Sequence, residues 1–357
     1  MDHSEVSDLS RSEFERTCVF LNTASLGRPP QRSWDALQTE LWRWKEGMGN
    51  PIDYDTYIAR SRELYASLVN VSAHDVAVGS QVSAFAGVIA AGLPSGSEVI
   101  VARGDFTSII FPFLAQESRG VRVREVPLEG IAAAVDGRTT LVAVSAVQSA
   151  DGRIAPLDDL ERACDQYGAK VLLDTTQAVG WLPIDASRWA FTVGGGYKWL
   201  MGPRGTAFMT IREHDAADLL PHAAGWYAGE RPWDAIYGLP LRLATTARRF
   251  DVSPAWFSWV GQAPSLELLT EIGPAMLHKY SVHLANLFRT EVGFAPGESA
   301  IVSVIPTGDI NLALDESRLV AATRAGRLRL SFHICNTMQD AADAATALRG
   351  LIAPEPD

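Results

Sequence analysis

Two titratable side chains in this chain of 357 residues are spaced so that they could act as a chemical pair. Asp174 closes the apolar run Val171-Leu172-Leu173. Lys198 comes later, just after Gly194-Gly195-Gly196, in a short turn between two predicted strands rather than on a solvated helix face. An acid at the carboxyl end of a strand lies at the edge where open α/β sheets bind ligands. Set against a pyridinium nitrogen, it would keep that nitrogen protonated and make the ring an electron sink. A lysine near such an edge is desolvated, which lowers its pKa and makes its amine nucleophilic toward an aldehyde. Taken singly, Asp174 reads as a turn cap and Lys198 as a surface residue; the joint pattern with its glycines favours the chemical reading.

The elements that must position this pair can be read from hydrophobic periodicity. Short β-branched runs predict strands at Val76–Val78, Val99–Ala102, Val121–Val126, Leu141–Ser145, Lys170–Leu173, Phe191–Val193 and Thr206–Ile211. Helical stretches at Phe85–Leu93, Ser108–Ser118 and Leu157–Tyr167 separate them, so the pattern implies βαβ crossovers and a mainly parallel sheet covered on both faces. Upstream, Trp34, Leu37, Leu41 and Trp44 recur at helical spacing, as do Tyr57, Leu64, Tyr65 and Leu68. Residues 225–254 show no period and are rich in Trp, Tyr, Gly and Pro, which reads as functional loops. Helices are predicted at Ala255–Thr270, Pro274–Phe288 and Met338–Leu348, with strands near Ile301–Ile305 and Arg327–Ser331.

Composition narrows the class. The chain is 47% hydrophobic and 20% charged with a formal net charge of −11, an ordinary globular balance that argues against a nucleic-acid partner. Cys18, Cys164 and Cys335 are too few and scattered for a disulfide framework or a zinc site, so no metal is expected. The polar, acidic start lacks the apolar core of a signal peptide, and no run approaches the roughly 18 apolar residues of a membrane span. The expectation is a soluble, cytoplasmic protein.

The segment Val171–Gly205 resembles the core signature of the class V aminotransferase family of fold-type I pyridoxal 5'-phosphate (PLP) enzymes, which includes cysteine desulfurases, kynureninases, isopenicillin N epimerase and related C–S lyases. The resemblance implies an α/β fold, with a large domain built on a mainly parallel seven-stranded sheet and a smaller C-terminal α/β domain. Residues 1–30 would contribute to the small domain and the active-site wall, 31–254 would form the PLP-binding domain and 255–357 the small one. Lys198 would carry PLP as a Schiff base, Asp174 would pair with its ring nitrogen and Gln177 would hydrogen-bond its ring hydroxyl.

Other positions carry over one by one. Ser80 and Gln81, between a strand and a helix, would hold the PLP phosphate, although helix capping by Ser80 accounts for the same pattern. Phe106, in Asp105-Phe106-Thr107, would stack on the PLP ring or else fill the core. Gln148 would face the cofactor or substrate, and Tyr197 stands where desulfurases often have His. Arg249–Pro254 resembles the segment that reaches toward the partner's phosphate, with Ser253 in place of the usual Thr; this implies a homodimer with shared active sites. In Arg327-Leu328-Arg329-Leu330-Ser331-Phe332-His333, Arg329 matches the clamp for the substrate α-carboxylate, and Arg327, with the same strand parity, is the fallback. Asn22, Ser25 and Arg204 are further candidates on the substrate side.

Desulfurases carry a catalytic cysteine shortly before the carboxylate-binding arginine, and the stretch 315–329 contains none. The expected activity is therefore chemistry at the α-carbon of an amino acid without an enzyme persulfide: a desulfurase-like β-eliminating C–S lyase first, then transamination with a 2-oxo acid, then epimerisation. A nucleotide-binding oxidoreductase would need a G-x-G-x-x-G after the first strand, and Gly79-Ser80-Gln81 does not supply it. A non-catalytic ligand-binding member of the fold would ordinarily have lost Lys198 or Asp174.

Overall fold

Apolar runs without alternation form strands that are covered on both faces, and those of the first two thirds of this chain join one sheet. In the computed structural model, which describes residues 1–217 and 219–354, helix α1 (His3–Glu13) and strand β1 (Val19–Phe20) lead into helices α2 (Gln31–Lys45) and α3 (Asp55–Leu68). The sheet region follows: β2 (Val76–Gly79), α4 (Val82–Gly92), β3 (Glu98–Ala102), α5 (Thr107–Leu114), β4 (Arg122–Val126), β5 (Thr139–Ser145), α6 (Leu157–Tyr167), β6 (Lys170–Asp174), β7 (Phe191–Gly195) and β8 (Ala207–Ile211). The strand order is β2-β8-β7-β6-β5-β3-β4. Only β8 runs antiparallel to its neighbours. The carboxyl ends of the six parallel strands and the start of β8 therefore share one edge, where ligands bind in such sheets.

Beyond the short helix α7 (Glu213–Ala216) come α8 (Trp256–Ile272), α9 (Pro274–Glu291), β9 (Ile301–Pro306), α10 (Asn311–Glu316), β10 (Leu319–Val320), β11 (Ala322–Arg324), β12 (Arg327–Ser331), α11 (Met338–Leu348) and β13 (Ile352–Pro354). Four of these strands form an antiparallel sheet in the order β11-β12-β9-β13. The leading segment is tied to this part of the chain: β1 pairs in parallel with β10, and Ser331 donates its N–H to the Leu21 carbonyl at 2.9 Å.

Strand parity divides the core in two. Val99, Val101, Leu141, Ala143, Leu172 and Val193 pack with α4 and α5 on one face. Ile100, Val142, Val144, Val171, Leu173 and Phe208 belong to a larger cluster that continues through α8 and α9 to the small sheet.

Three local features differ from the sequence expectation or refine it. Helix α2 forms, but its apolar stripe faces outward: Trp34 and Trp44 are 52% and 63% exposed, whereas Ser33 and Glu40 are buried. The inward contacts include a 2.7 Å hydrogen bond between the Ser33 and Ser265 hydroxyls and the half-buried Leu37, whose side chain lies against Gly261 of α8. Helix α5 stops at Leu114, short of the predicted Ser118, with Pro112 inside its last turn. Residues 225–254 form short 3-10 turns with irregular connections, as their lack of period predicted.

Candidate active site

The shared edge of the main sheet opens into a cavity of about 600 Å³ lined by residues from five strand ends. Asp174, the last residue of β6, is buried and accepts the Thr176 N–H at 2.8 Å. It makes no ion pair among the described residues. Burial pushes its carboxyl up to about 6, against the pull of the Thr176 hydrogen bonds, and the nearby Asp105 adds to the rise. This is a buried acid that lacks its cation.

Lys198 lies at the turn after β7 and is 6% exposed. Burial pulls its ammonium down to about 8, Asp174 opposes this, and Arg329, Arg324 and Arg204 add to it by repulsion. Its Nζ sits 5.3 Å from the Phe106 ring centroid and 5.7 Å from that of Tyr197. The glycines of this turn have a local cause. Gln262 of α8 is fully buried and ties the turn together, accepting from the Thr206 hydroxyl at 2.8 Å and donating to the Leu200 carbonyl at 3.1 Å. A Cβ on Gly196 or Gly202 would overlap its side-chain carbonyl. The leading segment presses on the same turn: Gly27 donates its N–H to the Tyr197 carbonyl at 2.9 Å, and a Cβ there would overlap the Lys198 carbonyl.

Ser80 and Gln81 line the cavity where α4 begins. Gln81 is the residue that caps this helix and makes no side-chain capping bond, so Ser80 does not serve as its cap. The first turn of α4 thus carries no side-chain cap where Val82 and Ser83 border the cavity, an arrangement suited to an anion. Phe106 also lines the cavity and, at 47% exposed, is not core filler. Its backbone is fixed by Asp105, whose carboxylate accepts the N–H of Phe106 at 2.6 Å and the N–H and hydroxyl of Ser145 at 2.8 and 2.6 Å.

Gln148 requires a correction. It does not line the cavity; it is buried and donates to Asp105 at 3.3 Å, and its neighbour Ser149 faces the cavity instead. A backbone turn sets this, with Gln148 N–H donating to the Arg153 carbonyl at 2.8 Å. Gln177 lines the cavity with its amide already engaged: it donates to the Ala24 carbonyl and the Ser149 hydroxyl, each at 3.0 Å, and accepts from Trp199 at 2.7 Å. Arg204 lines the cavity and stacks on Tyr197, with its guanidinium 5.0 Å from the ring centroid. Ser253 is exposed and lies outside the cavity of its own chain.

Arg329, in β12, is 1% exposed and donates to Ser149 and to the Ser25 hydroxyl, the latter at 2.8 Å. Its Nε is buried without a partner, and burial lowers its guanidinium to about 10. Ser25 therefore sits where the leading segment meets the carboxylate-binding candidate. The Asn22 side-chain oxygen is buried without a partner. Arg327, two residues from Arg329 on the same strand, is not among the residues that line the cavity. None of the three cysteines lines the cavity: Cys18 and Cys335 border a separate hollow at the α1–α11 side, and Cys164 is buried in α6. Burial raises the thiols of Cys335 and Cys164, to about 11 and 12. Among the described residues there is no cluster of metal-ligating side chains, and no helix is long and apolar enough to cross a membrane.

Comparison with known proteins agrees with this geometry. Residues 54–304 match the family described as Aminotransferase class-V, and the chain belongs to that family. It is similar to an uncharacterized aminotransferase, YcbU, of Bacillus subtilis (26% identity; 88% of this chain, 87% of the relative). It is also similar to a probable cysteine desulfurase of Aeropyrum pernix (26%; 96% and 97%) and to isopenicillin N epimerase of Streptomyces clavuligerus (24%; 89% and 85%). Among solved structures it shares its fold with the cystine C-S lyase C-DES in complex with cysteine persulfide (TM-score 0.83, 21% identity, 94% and 98% covered). It shares it too with the cysteine desulfurase of Thermococcus onnurineus (TM-score 0.82, 17%, 96% and 97%). The protein is thus a PLP-dependent enzyme of fold-type I. The residues present fit that cofactor: a buried carboxylate without a cation, an uncapped helix start, an exposed aromatic face and a desolvated lysine surround one cavity.

Proposed function

We propose that this enzyme is a β-eliminating C–S lyase acting on a cysteine-type amino acid, with Lys198 as its proton-transfer group and no cysteine in the reaction. PLP supplies an electron sink next to the substrate α-carbon. Lys198 holds the cofactor until substrate arrives and then, as a free amine near its lowered pKa, takes the α-proton. Asp174 would balance a protonated ring nitrogen, and Phe106 would supply an aromatic surface for the ring. The α4 start with Ser80 and Gln81 would hold the phosphate, and Gln177 would serve the ring hydroxyl. Arg329 would clamp the α-carboxylate and so hold the substrate in one orientation, with its α-proton within reach of Lys198. The β-sulfur then leaves as a thiol, and with one water the carbon skeleton ends as pyruvate and ammonia.

The observation that carries this reading is the combination of a desolvated amine at Lys198 with thiols that are absent from the cavity. Sulfur removal through an enzyme persulfide needs an accessible, ionisable cysteine. C-DES and the desulfurase relatives are named for sulfur-bearing substrates, which favours this branch. Transamination is the second reading, favoured by the relative named an aminotransferase. Formation of pyruvate and ammonia from a cysteine conjugate without any amino acceptor is the expected result, and an absolute requirement for a 2-oxo acid would overturn it in favour of transamination.

The working unit in this proposal is a homodimer divided into domains at residues 31–254 and 255–357. Ser253, exposed outside its own cavity, would serve the partner's phosphate. A second copy would cover the outward stripe of α2 and the loop residues Leu239 and Leu241, which are 93% and 74% exposed.

A further inference from the structure

Two guanidiniums meet at one oxygen beside the proposed substrate site. The Ser25 hydroxyl oxygen accepts from Arg329 at 2.8 Å and from Arg324 at 3.1 Å. Neither arginine makes an ion pair with a carboxylate among the described residues. The remaining partner of Arg324 is the carbonyl of its neighbour Thr323, at 2.8 Å. A neutral hydroxyl does not discharge two cations, and like charges held this close disfavour each other. The repulsion is visible at Arg329, whose guanidinium is lowered by burial and further by Arg324. Arg329 is buried behind Ser149, which lines the cavity, and Arg324, at the β11–β12 hairpin, is exposed, so the pair runs outward from behind that residue. One α-carboxylate neutralises Arg329 and leaves Arg324 unmatched.

We infer that Arg324 reads a second negative charge, so that the preferred substrate is a cysteine conjugate whose sulfur substituent carries a carboxylate. This rests on the reading of Arg329 as the α-carboxylate clamp. In that arrangement the α-carboxylate replaces Ser25 as the acceptor for Arg329. The side-chain carboxylate lies toward solvent and accepts from the guanidinium of Arg324, a charge-assisted, geometrically selective contact.

S-carboxymethylcysteine and its neutral isostere S-carbamoylmethylcysteine separate the charge from the shape. Their binding to the PLP-loaded enzyme is read by calorimetry and by the change in cofactor absorbance, and their cleavage by pyruvate release. The acid is expected to bind about tenfold tighter than the amide, as for a hydrogen bond to a charged group. Arg324→Ala brings the ratio of the two affinities to about one, and Arg324→Lys restores part of it. A ratio of one in the unmodified enzyme, or a ratio that Arg324→Ala leaves intact, overturns the inference. So does equal weakening of both ligands in Arg324→Ala, which makes Arg324 a second clamp for the α-carboxylate. Selective binding of the acid without pyruvate upholds the inference and defeats the elimination reading; equal binding and cleavage of both ligands does the reverse.

Discussion

The two walls that face Lys198 are built on opposite principles. On the main-sheet side, the supporting groups are already satisfied. Asp105 accepts from Phe106 and Ser145, Thr176 donates to Asp174, and Gln262 locks the lysine turn. On the small-sheet side, Arg329 and Arg324 share a serine hydroxyl and have no carboxylate. A wall whose hydrogen bonds are closed holds its shape without a ligand, at the cost of a buried acid and a buried amine. A wall with uncompensated cations gains stability only when an anion arrives. The first arrangement suits a resident cofactor and the second an exchanging substrate, which is the division of labour that catalysis by differential binding requires.

This contrast can be broken most directly at the lysine. Lys198→Ala should remove the covalent link, so that borohydride no longer fixes PLP to the protein, and turnover should fall by about 10³-fold or more. Turnover within tenfold of the parent would remove Lys198 from its role. Asp174→Asn should lower kcat by about 10²- to 10³-fold, the effect of stripping one partner from a buried ion pair, while PLP stays trappable by borohydride. Loss of trapping would instead make Asp174 a folding residue.

The cost of the closed wall can be measured in the PLP-free protein. The folded pKa of Lys198, about 8, lies below the ordinary value of 10.5, so the unfolded chain binds the extra proton. The penalty is full below about pH 8 and fades as pH rises toward 10.5. Lys198→Met should therefore stabilise the apoprotein at pH 7 by on the order of 2–3 kcal/mol. The gain should vanish near pH 10.5 in denaturant titrations, and a gain independent of pH would assign it to packing instead. The smallest effect is expected at Cys335→Ala: turnover within about twofold, with a loss of roughly 1–2 kcal/mol from the buried site. A large loss of kcat in a folded variant would return a cysteine to the reaction.

Much of the closed wall could be read in the sequence, because it is made of local signals. Short β-branched and apolar runs mark the seven strands of the sheet, Asp174 ends one of them, and Lys198 lies in the turn after the next. The open wall was harder to see. Ser149 was missed and Gln148 chosen because the turn after β5, not strand parity, decides which side chain faces the cavity. Arg324 was missed although three arginines fall within residues 324–329; its meeting with Ser25 joins the two ends of the chain, which no local pattern records. The period of Trp34, Leu37, Leu41 and Trp44 gave the helix but not the direction of its apolar face. Periodicity shows that a stripe exists, and only tertiary packing shows what covers it.

The contact of Gly27 with the lysine turn bears on the order in which the molecule is made. Residues 19–27 are synthesised well before their partners, which are the Tyr197 carbonyl, Arg318 next to β10, Val320 within it, and Ser331. The segment 19–27 cannot take its place until residues 318–331 have left the ribosome. These long-range closures are the slow kind. The sheet with Asp174 and Lys198 can form while the lysine is still open to solvent, and the last residues to dock are those that turn its edge into an enclosed site.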